Sequence, residues 1–256
     1  MCIRDRNIVR KFQQISKQLE IKFKILSDNG RGLGYARQLI VENANGEYIC
    51  WVDSDNVVTA DLIKNQVDFI RRRPSVGIAI PLILPTGKSL TERIQSYIWL
   101  IPTLNAMKRG RTPYITMEGA ITPLRALREI NGFDITIKGA GEDSNLVHRM
   151  KLKGYSIAVN PKAIIYHHMK GSLRDLLKHV AWYGRTQPNK SLKSLINEIM
   201  SRTLLYIKLT PLTAKIFRDI ACILMPFYIV AWNIVYFISS IQARNYRGIK
   251  HEIRHS

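Results

Sequence analysis

The stretch Tyr48-Ile49-Cys50-Trp51-Val52-Asp53-Ser54-Asp55 places two carboxylates directly after an apolar run. The run predicts a buried β-strand, and side chains two residues apart at its end point to the same side. Oxygen ligands of this kind suit Mg²⁺ or Mn²⁺, and the bound cation can hold a diphosphate. Taken alone, Asp53 and Asp55 could instead simply cap a turn, where aspartate is common.

A second acidic pair, Glu142-Asp143, lies far downstream behind the flexible Gly139-Ala140-Gly141. Apolar positions after the pair predict a helix that begins at these carboxylates. The positive end of the helix dipole favours ionised carboxylates, so we expect Asp143 to be an available base near neutral pH. Simple first-turn partners of the dipole are the alternative interpretation.

Two predicted strands, 155–159 and 163–166, lead to His167 and His168. An imidazole beside carboxylates is a candidate third metal ligand, and His167 has the stronger claim of the two. A strand-end histidine can equally be structural or solvated.

The rest of the first 190 residues predicts alternating helices and strands, and therefore an α/β fold. Helical periodicity at Ile8, Phe12, Ile15 and Leu19 is followed by alternation at Ile21, Phe23 and Ile25. Residues 85–113 resemble an insertion with short helices, and Thr122 is predicted as the N-cap of a helix that Gly132 ends. The remaining predicted elements are helix 35–44, strand 47–52, helix 60–73 and strand 76–82.

Lysine and arginine number 39 against 19 aspartates and glutamates, so the 256-residue chain has a net charge of +20. Such a charge favours an anionic partner, such as a nucleotide, a lipid phosphate or a phospholipid surface. Aromatic and basic residues do not interleave as in nucleic-acid binding proteins, so we expect no nucleic-acid partner. The three cysteines lack the spacing of a metal site or a disulfide framework, which favours free thiols.

The C-terminal region predicts contact with a membrane. The 22 residues from Ile220 to Ile241 carry no charged side chain, and Arg218 and Arg244 flank them. This length suffices to cross a bilayer, although a buried or interfacial helix is the alternative. Leucines and isoleucines that alternate with basic residues just before it predict an interfacial helix. The excess of basic residues before the span favours a cell-membrane location with the catalytic part in the cytoplasm.

In their order and spacing, these motifs resemble a family 2 glycosyltransferase with the GT-A fold, a Rossmann-like mixed sheet flanked by helices. The resemblance spans about residues 7–187 and includes the Asp53-Ser54-Asp55 sequence as the DxD element. Its other parts are Gly32-Leu33-Gly34-Tyr35-Ala36-Arg37, Gly119-Ala120, Asn131-Gly132-Phe133-Asp134, Gly141-Glu142-Asp143 and His167.

The resemblance implies transfer of a sugar from a nucleotide-diphosphate donor to an acceptor hydroxyl or lipid phosphate, with inversion. It assigns Asp55 and Asp53 to the divalent cation (Mg²⁺ or Mn²⁺) and to the donor, with His167 as a further metal contact. Asp143 would be the catalytic base, and Glu142 would orient or bind the acceptor.

The resemblance also assigns Arg37 and Gly34 to a loop that approaches the nucleotide. Gln38 stands where relatives usually carry asparagine, which questions a hydrogen bond of that loop. A lipid-linked or glycan acceptor and a membrane are the other implied partners.

The family normally begins with a strand, a helix and a second strand that do not precede Asn7 here. We therefore expect residues 1–190 to form a truncated GT-A domain and residues 191–256 to form the membrane-associated helical tail. A processive polysaccharide synthase is the alternative, but its Gln-x-x-Arg-Trp element is absent and only Trp182-Tyr183-Gly184-Arg185 lies nearby. An inactive fragment acting as a basic membrane-binding module is the remaining alternative.

Overall fold

The computed structural model describes residues 6–53, 55–109, 116–186 and 191–255, so Ser54 and the end of the basic sequence Lys108–Arg111 lie outside the described residues. Five strands form one sheet in the order β1-β4-β3-β5-β2. β3 and β5 are parallel, and the other neighbouring strands are antiparallel. The strands are β1 (Tyr48–Cys50), β2 (Asn56–Val58), β3 (Val76–Thr86), β4 (Ile121–Pro123) and β5 (Ser156–His168).

Helices cover this sheet, which confirms the predicted mixed α/β architecture. They are α1 (Arg6–Gln18), α2 (Leu33–Asn43), α3 (Leu62–Arg71), α4 (Leu90–Lys108), α5 (Leu124–Glu129), α6 (Glu142–Leu152), α7 (Leu173–Thr186), α8 (Leu192–Phe217) and α9 (Ile220–His255). The main core packs the apolar stripes of α5 and α6 onto β1 and β3. Leu127, Leu146 and Met150 from these helices are fully buried there, as is Ile78 from β3.

The predicted strand at Ile21, Phe23 and Ile25 is wrong. These residues form no ladder in the described part of the chain, and their side chains are 60%, 41% and 55% exposed. Alternating apolar residues become a strand only where a neighbouring strand accepts their backbone hydrogen bonds. The described residues place no such neighbour beside this extended segment.

The short helices predicted within residues 85–113 are also wrong, because the described part of this region forms the single helix α4 of 19 residues. Ser89 caps it by accepting a hydrogen bond from the Glu92 amide, and the Glu92 side chain accepts one in return from the Ser89 amide. This reciprocal capping supplies hydrogen-bond acceptors for amides at the helix start and stabilises the first turn. Pro102 lies within the helix.

Thr122 is not the N-cap of a helix as predicted. It belongs to β4, opposite Ile49 in β1, and its hydroxyl accepts a hydrogen bond from Trp51 Nε1 at 3.0 Å. Helix α5 begins one residue after Pro123 instead. The Thr122 hydroxyl therefore holds the Trp51 indole in place and does not cap the helix.

The two short strands predicted before His167 form one continuous strand, β5. It runs parallel to β3, and the register shifts between Pro81, which lies opposite Asn160, and Leu82, which lies opposite Ile164. The irregular residues at the shift produce the break in the sequence pattern. Because β3 pairs with both parts, the strand continues through the irregularity.

Gln66 on α3 is a fully buried amide. Its Nε2 donates to the carbonyl oxygens of Ala79 and Gly119 at 3.1 and 3.0 Å. Asn160 donates in turn to Gln66 Oε1 at 3.3 Å. A buried amide is tolerated only when its hydrogen bonds are satisfied, and this one ties α3 to the turn at Gly119.

The C-terminal helices pack against the α/β unit. One face of α9 is buried on α4, α7 and α8. Gly184 of α7 lies so close to α9 that a Cβ at this residue would be 2.7 Å from the Tyr236 carbonyl oxygen. Asn233, in the middle of the predicted span, donates to Thr203 Oγ1 and accepts from Arg202 on α8. The opposite face of α9 exposes Ile220, Ile223, Phe227, Val230, Ile234 and Ile238, which we call the α9 stripe.

Candidate active site

Strand pairing brings the DxD element and His167 together. Asn56, which follows Asp55, is the partner of His167 in the antiparallel pair of β2 and β5, although the two are 111 residues apart. The amide of His168 donates to the Asp55 carbonyl at 3.1 Å. The residues that the sequence proposed as metal ligands from distant positions therefore lie at one end of the sheet.

His167 is held by two oxygen atoms on its Nδ1 side. Glu118 Oε2 lies 2.8 Å and Asn56 Oδ1 lies 3.1 Å from this nitrogen. Burial lowers the pKa of His167, but the hydrogen bond and charge of Glu118, together with Asp55, raise it, and the net direction is upward.

Asp55 lies beside a positive charge, because the Lys170 ammonium is 3.6 Å from its carboxylate. The described residues contain no preassembled group of three metal-ligating side chains. The donor set nevertheless fits a divalent cation in its chemistry, because it combines carboxylate oxygens with an imidazole, and the pairing of β2 with β5 places Asp55 next to the strand end that carries His167. Asp53, His167 and Asp55 are the side chains that would hold it.

The acidic pair Glu142-Asp143 begins α6 as predicted, after Gly141 in a left-handed conformation with φ of 107°. Upstream of it, Ala140 donates its amide to Thr186 Oγ1 at the end of α7. That Asp143 is available as a base near neutral pH stays a prediction, and burial is a further influence beside the helix dipole. Burial raises the pKa of Asp143, and a backbone hydrogen bond from Ser144 and the charge of Arg37 offset this only in part. A raised pKa makes the ionised carboxylate a stronger base.

Glu142 faces away from bulk water and pairs with Arg37. Its Oε1 lies 2.7 Å from Arg37 Nη1, and the two side chains are only 4% and 12% exposed. The guanidinium also lies within 6 Å of the ring centres of Trp51 and Phe133. Burial raises the pKa of Glu142, while Arg37 lowers it, and burial prevails. The pair connects α2 to the start of α6, directly beside Asp143.

The glycine segment before Arg37 contacts the backbone of residues 134–138. A Cβ at Gly34 would lie 2.2 Å from the Asp134 carbonyl oxygen, and the Gly34 amide donates to the Ile137 carbonyl at 3.0 Å. Gln38, the departure from the family pattern, accepts a hydrogen bond from the Phe133 amide at 2.8 Å. The glutamine thus makes a hydrogen bond that ties α2 to the loop before α6.

Tyr183 on α7 shows that these elements converge. Burial is the main cause that raises the pKa of Tyr183, and the charges of Glu118, Asp143, Glu142 and Asp55 raise it further. One phenol is therefore influenced by four carboxylates from three parts of the chain, since Glu142 and Asp143 are neighbours in sequence. His179, one turn before it, stacks on its ring at 4.7 Å between centroids.

Four residues of this candidate site were not predicted from the sequence: Glu118, Lys170, His179 and Tyr183. Tyr183 lies in the Trp182–Arg185 segment, which was considered only as a failed match to the synthase element. The other three lie outside any recognised pattern. Their proximity to the DxD element and to His167 depends on packing between distant segments, so no local signal could have identified them.

Comparison with known proteins supports a family assignment. Residues 4–130 match the sequence model described as Glycosyl transferase family 2. The match contains the DxD element, Arg37 and Glu118, whereas Asp143 and His167 lie beyond it.

Three solved structures are similar. The mannosyltransferase PcManGT from Pyrobaculum calidifontis, in complex with GDP-Man and Mn²⁺, has a TM-score of 0.60 and 14% identity over 92% of this chain and 73% of that chain. S. aureus TarS 1-349 has a TM-score of 0.46 and 16% identity over 95% and 80% of the two chains. Glucosyl-3-phosphoglycerate synthase from Mycobacterium tuberculosis, with Mn²⁺, UDP and glucosyl-3-phosphoglycerate, has a TM-score of 0.40 and 15% identity over 68% and 60%.

At 14% identity, the likeness to the mannosyltransferase concerns the fold. The mixed sheet, its flanking helices and the order of the elements agree with the match to the family sequence model. The chain belongs to glycosyl transferase family 2 and is an enzyme of the glycosyltransferase class.

Proposed function

We propose that this glycosyltransferase moves a sugar, with inversion, from a nucleotide-diphosphate donor to a lipid-linked or glycan acceptor. The observation that carries the proposal is a cluster of acidic groups on two supports: Asp55, whose carbonyl accepts from the His168 amide, and the start of α6, where Asp143 follows the buried pair of Arg37 and Glu142. Such a cluster supplies both parts of the reaction: carboxylates that favour a cation, and a separate carboxylate that accepts a proton. The similar mannosyltransferase structure contains Mn²⁺ with GDP-Man, which supports the donor class.

In this mechanism, Asp53, Asp55 and His167 would hold a divalent cation, which would supply positive charge beside the leaving diphosphate. Arg37 and the Gly34 segment line the donor side of the site. Asp143 takes the proton from the acceptor hydroxyl as that oxygen attacks the anomeric carbon from the opposite face. Glu142, held by Arg37, keeps the start of α6 in place so that Asp143 faces the acceptor.

Asp55→Ala tests the cation role. We expect the variant to bind a donor at least about tenfold more weakly in the presence of Mn²⁺, because the charge that attracts the cation is lost. Isothermal titration with a panel of UDP- and GDP-sugars measures this. Asp68→Ala, which removes a half-exposed carboxylate on α3 that pairs with Lys64, is the matched control and should bind like the unmodified protein. Equal donor affinity in both variants would contradict the assignment of Asp55.

We further propose that the protein associates with the cytoplasmic face of the cell membrane through the α9 stripe. Helix α9 is the candidate span in the described residues, from Ile220 to Arg244, with 33% of its most apolar window buried. Its other face packs on α4, α7 and α8, so lipid would contact the stripe while protein covers the rest. Exposed Lys208 and Lys215 on α8 lie among exposed apolar residues, which suits an anionic lipid surface.

Replacing two members of the stripe tests this contact. Phe227→Glu combined with Ile234→Glu should lower binding to phosphatidylglycerol-containing vesicles by about tenfold or more, because each carboxylate would enter an apolar layer. Vesicle flotation at several salt concentrations measures the effect. Leu152→Glu, at a position 75% exposed on α6, is the matched control and should leave binding unchanged. If the double variant floats like the unmodified protein, the stripe does not contact lipid.

A further inference from the structure

Glu118 has no role in the mechanism described above, yet it makes a close polar contact at the centre of the site. Its carboxylate lies 2.8 Å from His167 Nδ1, and both side chains are mostly buried, with 20% and 17% exposed. Carboxylate oxygens only accept hydrogen bonds when ionised, so Nδ1 carries the proton in this contact. The second neighbour of Nδ1, Asn56 Oδ1 at 3.1 Å, is also an acceptor and favours the same arrangement.

A proton on Nδ1 leaves Nε2 as the ring nitrogen that can offer a lone pair. Neutral imidazole prefers no single nitrogen strongly, so the hydrogen bond at one nitrogen decides which atom is free to bind. Asp55, on the strand paired with His167, acts electrostatically on the same imidazole. His167 Nε2 is therefore the free nitrogen, and it belongs to a ring near Asp55, the carboxylate proposed to bind the cation.

The backbone around Glu118 is rigid enough to orient a ring. Gly119 has φ of +64°, and an added Cβ would lie 2.8 Å from both Ile165 and Pro81. Its amide donates to the Trp51 carbonyl at 2.6 Å, and its carbonyl accepts from Gln66 at 3.0 Å. Glu118 thus extends from a turn whose conformation is determined on both sides.

The surroundings of the pair are mainly apolar. Glu118 and His167 line a cavity whose other walls include Ile83, Trp99 and Met169. Few polar groups there compete for the carboxylate, and a hydrogen bond to an ionised group is stronger in such an environment than in water. The contact is therefore strong enough to hold the imidazole in one orientation.

We propose that Glu118 is a positioning residue that fixes the tautomer and orientation of His167, so that Nε2 faces the divalent cation. The inference rests on the metal-dependent transfer proposed above. Outer-shell carboxylates of this kind typically contribute 10–100-fold to metal affinity. Glu118 acts through His167 and does not itself bind the cation.

Two measurements on the full chain test this role. The first is Mn²⁺ affinity without donor, followed by the electron paramagnetic resonance signal of free Mn²⁺. Glu118→Ala should weaken binding by about 10–100-fold, whereas Glu118→Gln, whose amide oxygen still accepts from Nδ1, should remain within about threefold of the unmodified protein. The double variant Glu118→Ala with His167→Ala should bind no more weakly than His167→Ala alone. Glu129→Ala, which removes a glutamate that accepts from Tyr155, is the matched control.

The second measurement needs no metal. Long-range ¹H–¹⁵N spectra of the His167 ring, recorded at an alkaline pH where the imidazole is neutral, should show the Nδ1–H tautomer in the unmodified protein and a growing share of Nε2–H in Glu118→Ala. If Glu118→Ala lacks a cooperative thermal transition, Glu118→Met, which retains the length of the side chain, replaces it with the same expectations.

Unchanged Mn²⁺ affinity in a folded Glu118→Ala variant would overturn the positioning role of Glu118. The role would also be overturned if the double variant bound Mn²⁺ more weakly than His167→Ala by the full factor that Glu118→Ala causes alone. An unmodified chain that transfers sugar without binding Mn²⁺ would overturn both the metal dependence and this inference. An unmodified chain that binds Mn²⁺ with the expected Glu118 effect, yet transfers sugar from no donor, would overturn the proposed function and leave the role of Glu118 standing.

Discussion

Asp143→Asn should lower the rate of sugar transfer by about 10²–10⁴-fold while donor affinity changes by less than about threefold. The amide retains the shape of the carboxylate and can still accept the hydrogen bond that the Ser144 amide makes at 2.6 Å. It cannot take a proton from the acceptor hydroxyl. Single-turnover kinetics together with donor titration separate the two effects.

The same variant should be at least as stable as the unmodified protein at neutral pH. Burial raises the pKa of Asp143 in the folded protein, so its ionised form opposes folding. The stability difference should be absent below the unfolded pKa of aspartate and should grow as the pH rises through the raised pKa of Asp143. Urea unfolding at several pH values measures it.

Asp134→Asn is the contrasting control. Hydrogen bonds from Thr136 lower the pKa of Asp134, so its ionised form stabilises the fold above the unfolded pKa, and that stability is lost as the pH falls. The asparagine variant should therefore be less stable than the unmodified protein at neutral pH. A fall in stability of equal size in both variants would contradict the burial of Asp143. Full activity in Asp143→Asn would exclude it as the base.

Breaking the pair of Arg37 and Glu142 should reduce the free energy of unfolding by about 3–5 kcal/mol in either single variant, Arg37→Met or Glu142→Leu. Each change leaves the partner charge buried, since the side chains are 12% and 4% exposed. The double variant Arg37→Met with Glu142→Leu should recover much of the loss, because no unpaired charge remains. Urea denaturation of the four proteins completes a double-mutant cycle.

The pair of Lys64 and Asp68 is the matched control. Its atoms lie 3.0 Å apart, but its side chains are 77% and 46% exposed. Water and salt screen such a pair, so its removal should leave the free energy of unfolding unchanged within the error of the measurement. Similar coupling energies for the two pairs would show that burial does not govern the Arg37 contact.

Local patterns predicted several elements correctly, and the errors have identifiable causes. Helix α6 was predicted from Glu142 onward because its apolar spacing and its glycine start lie within a few residues. Thr122 was misplaced because a threonine before proline resembles a helix start, and only the packing of Trp51 shows that its hydroxyl is used elsewhere. The segment at Ile21 alternates as a strand should, but alternation does not supply a neighbouring strand.

The composition of the site divides in the same way. Asp53, Asp55, Glu142, Asp143 and His167 follow recognisable elements or family motifs and were named in advance. The motifs indicated the chemistry of these residues but did not identify the side chains that contact them. The pairing of Glu142 with Arg37, of Asp55 with Lys170 and of His167 with Glu118 appears only in the folded chain.

By itself the sequence determined the α/β class, the family, the acidic chemistry of the site and an apolar C-terminal helix, because periodicity, capping and motif order are encoded over short distances along the chain. The tertiary structure alone decided which charges are buried and which side chains meet. The antiparallel pairing of β2 with β5 joins residues 111 apart, and the turn at Gly119 places Glu118 on the imidazole of His167. Burial and contact depend on how distant segments pack, and no local pattern carries that information.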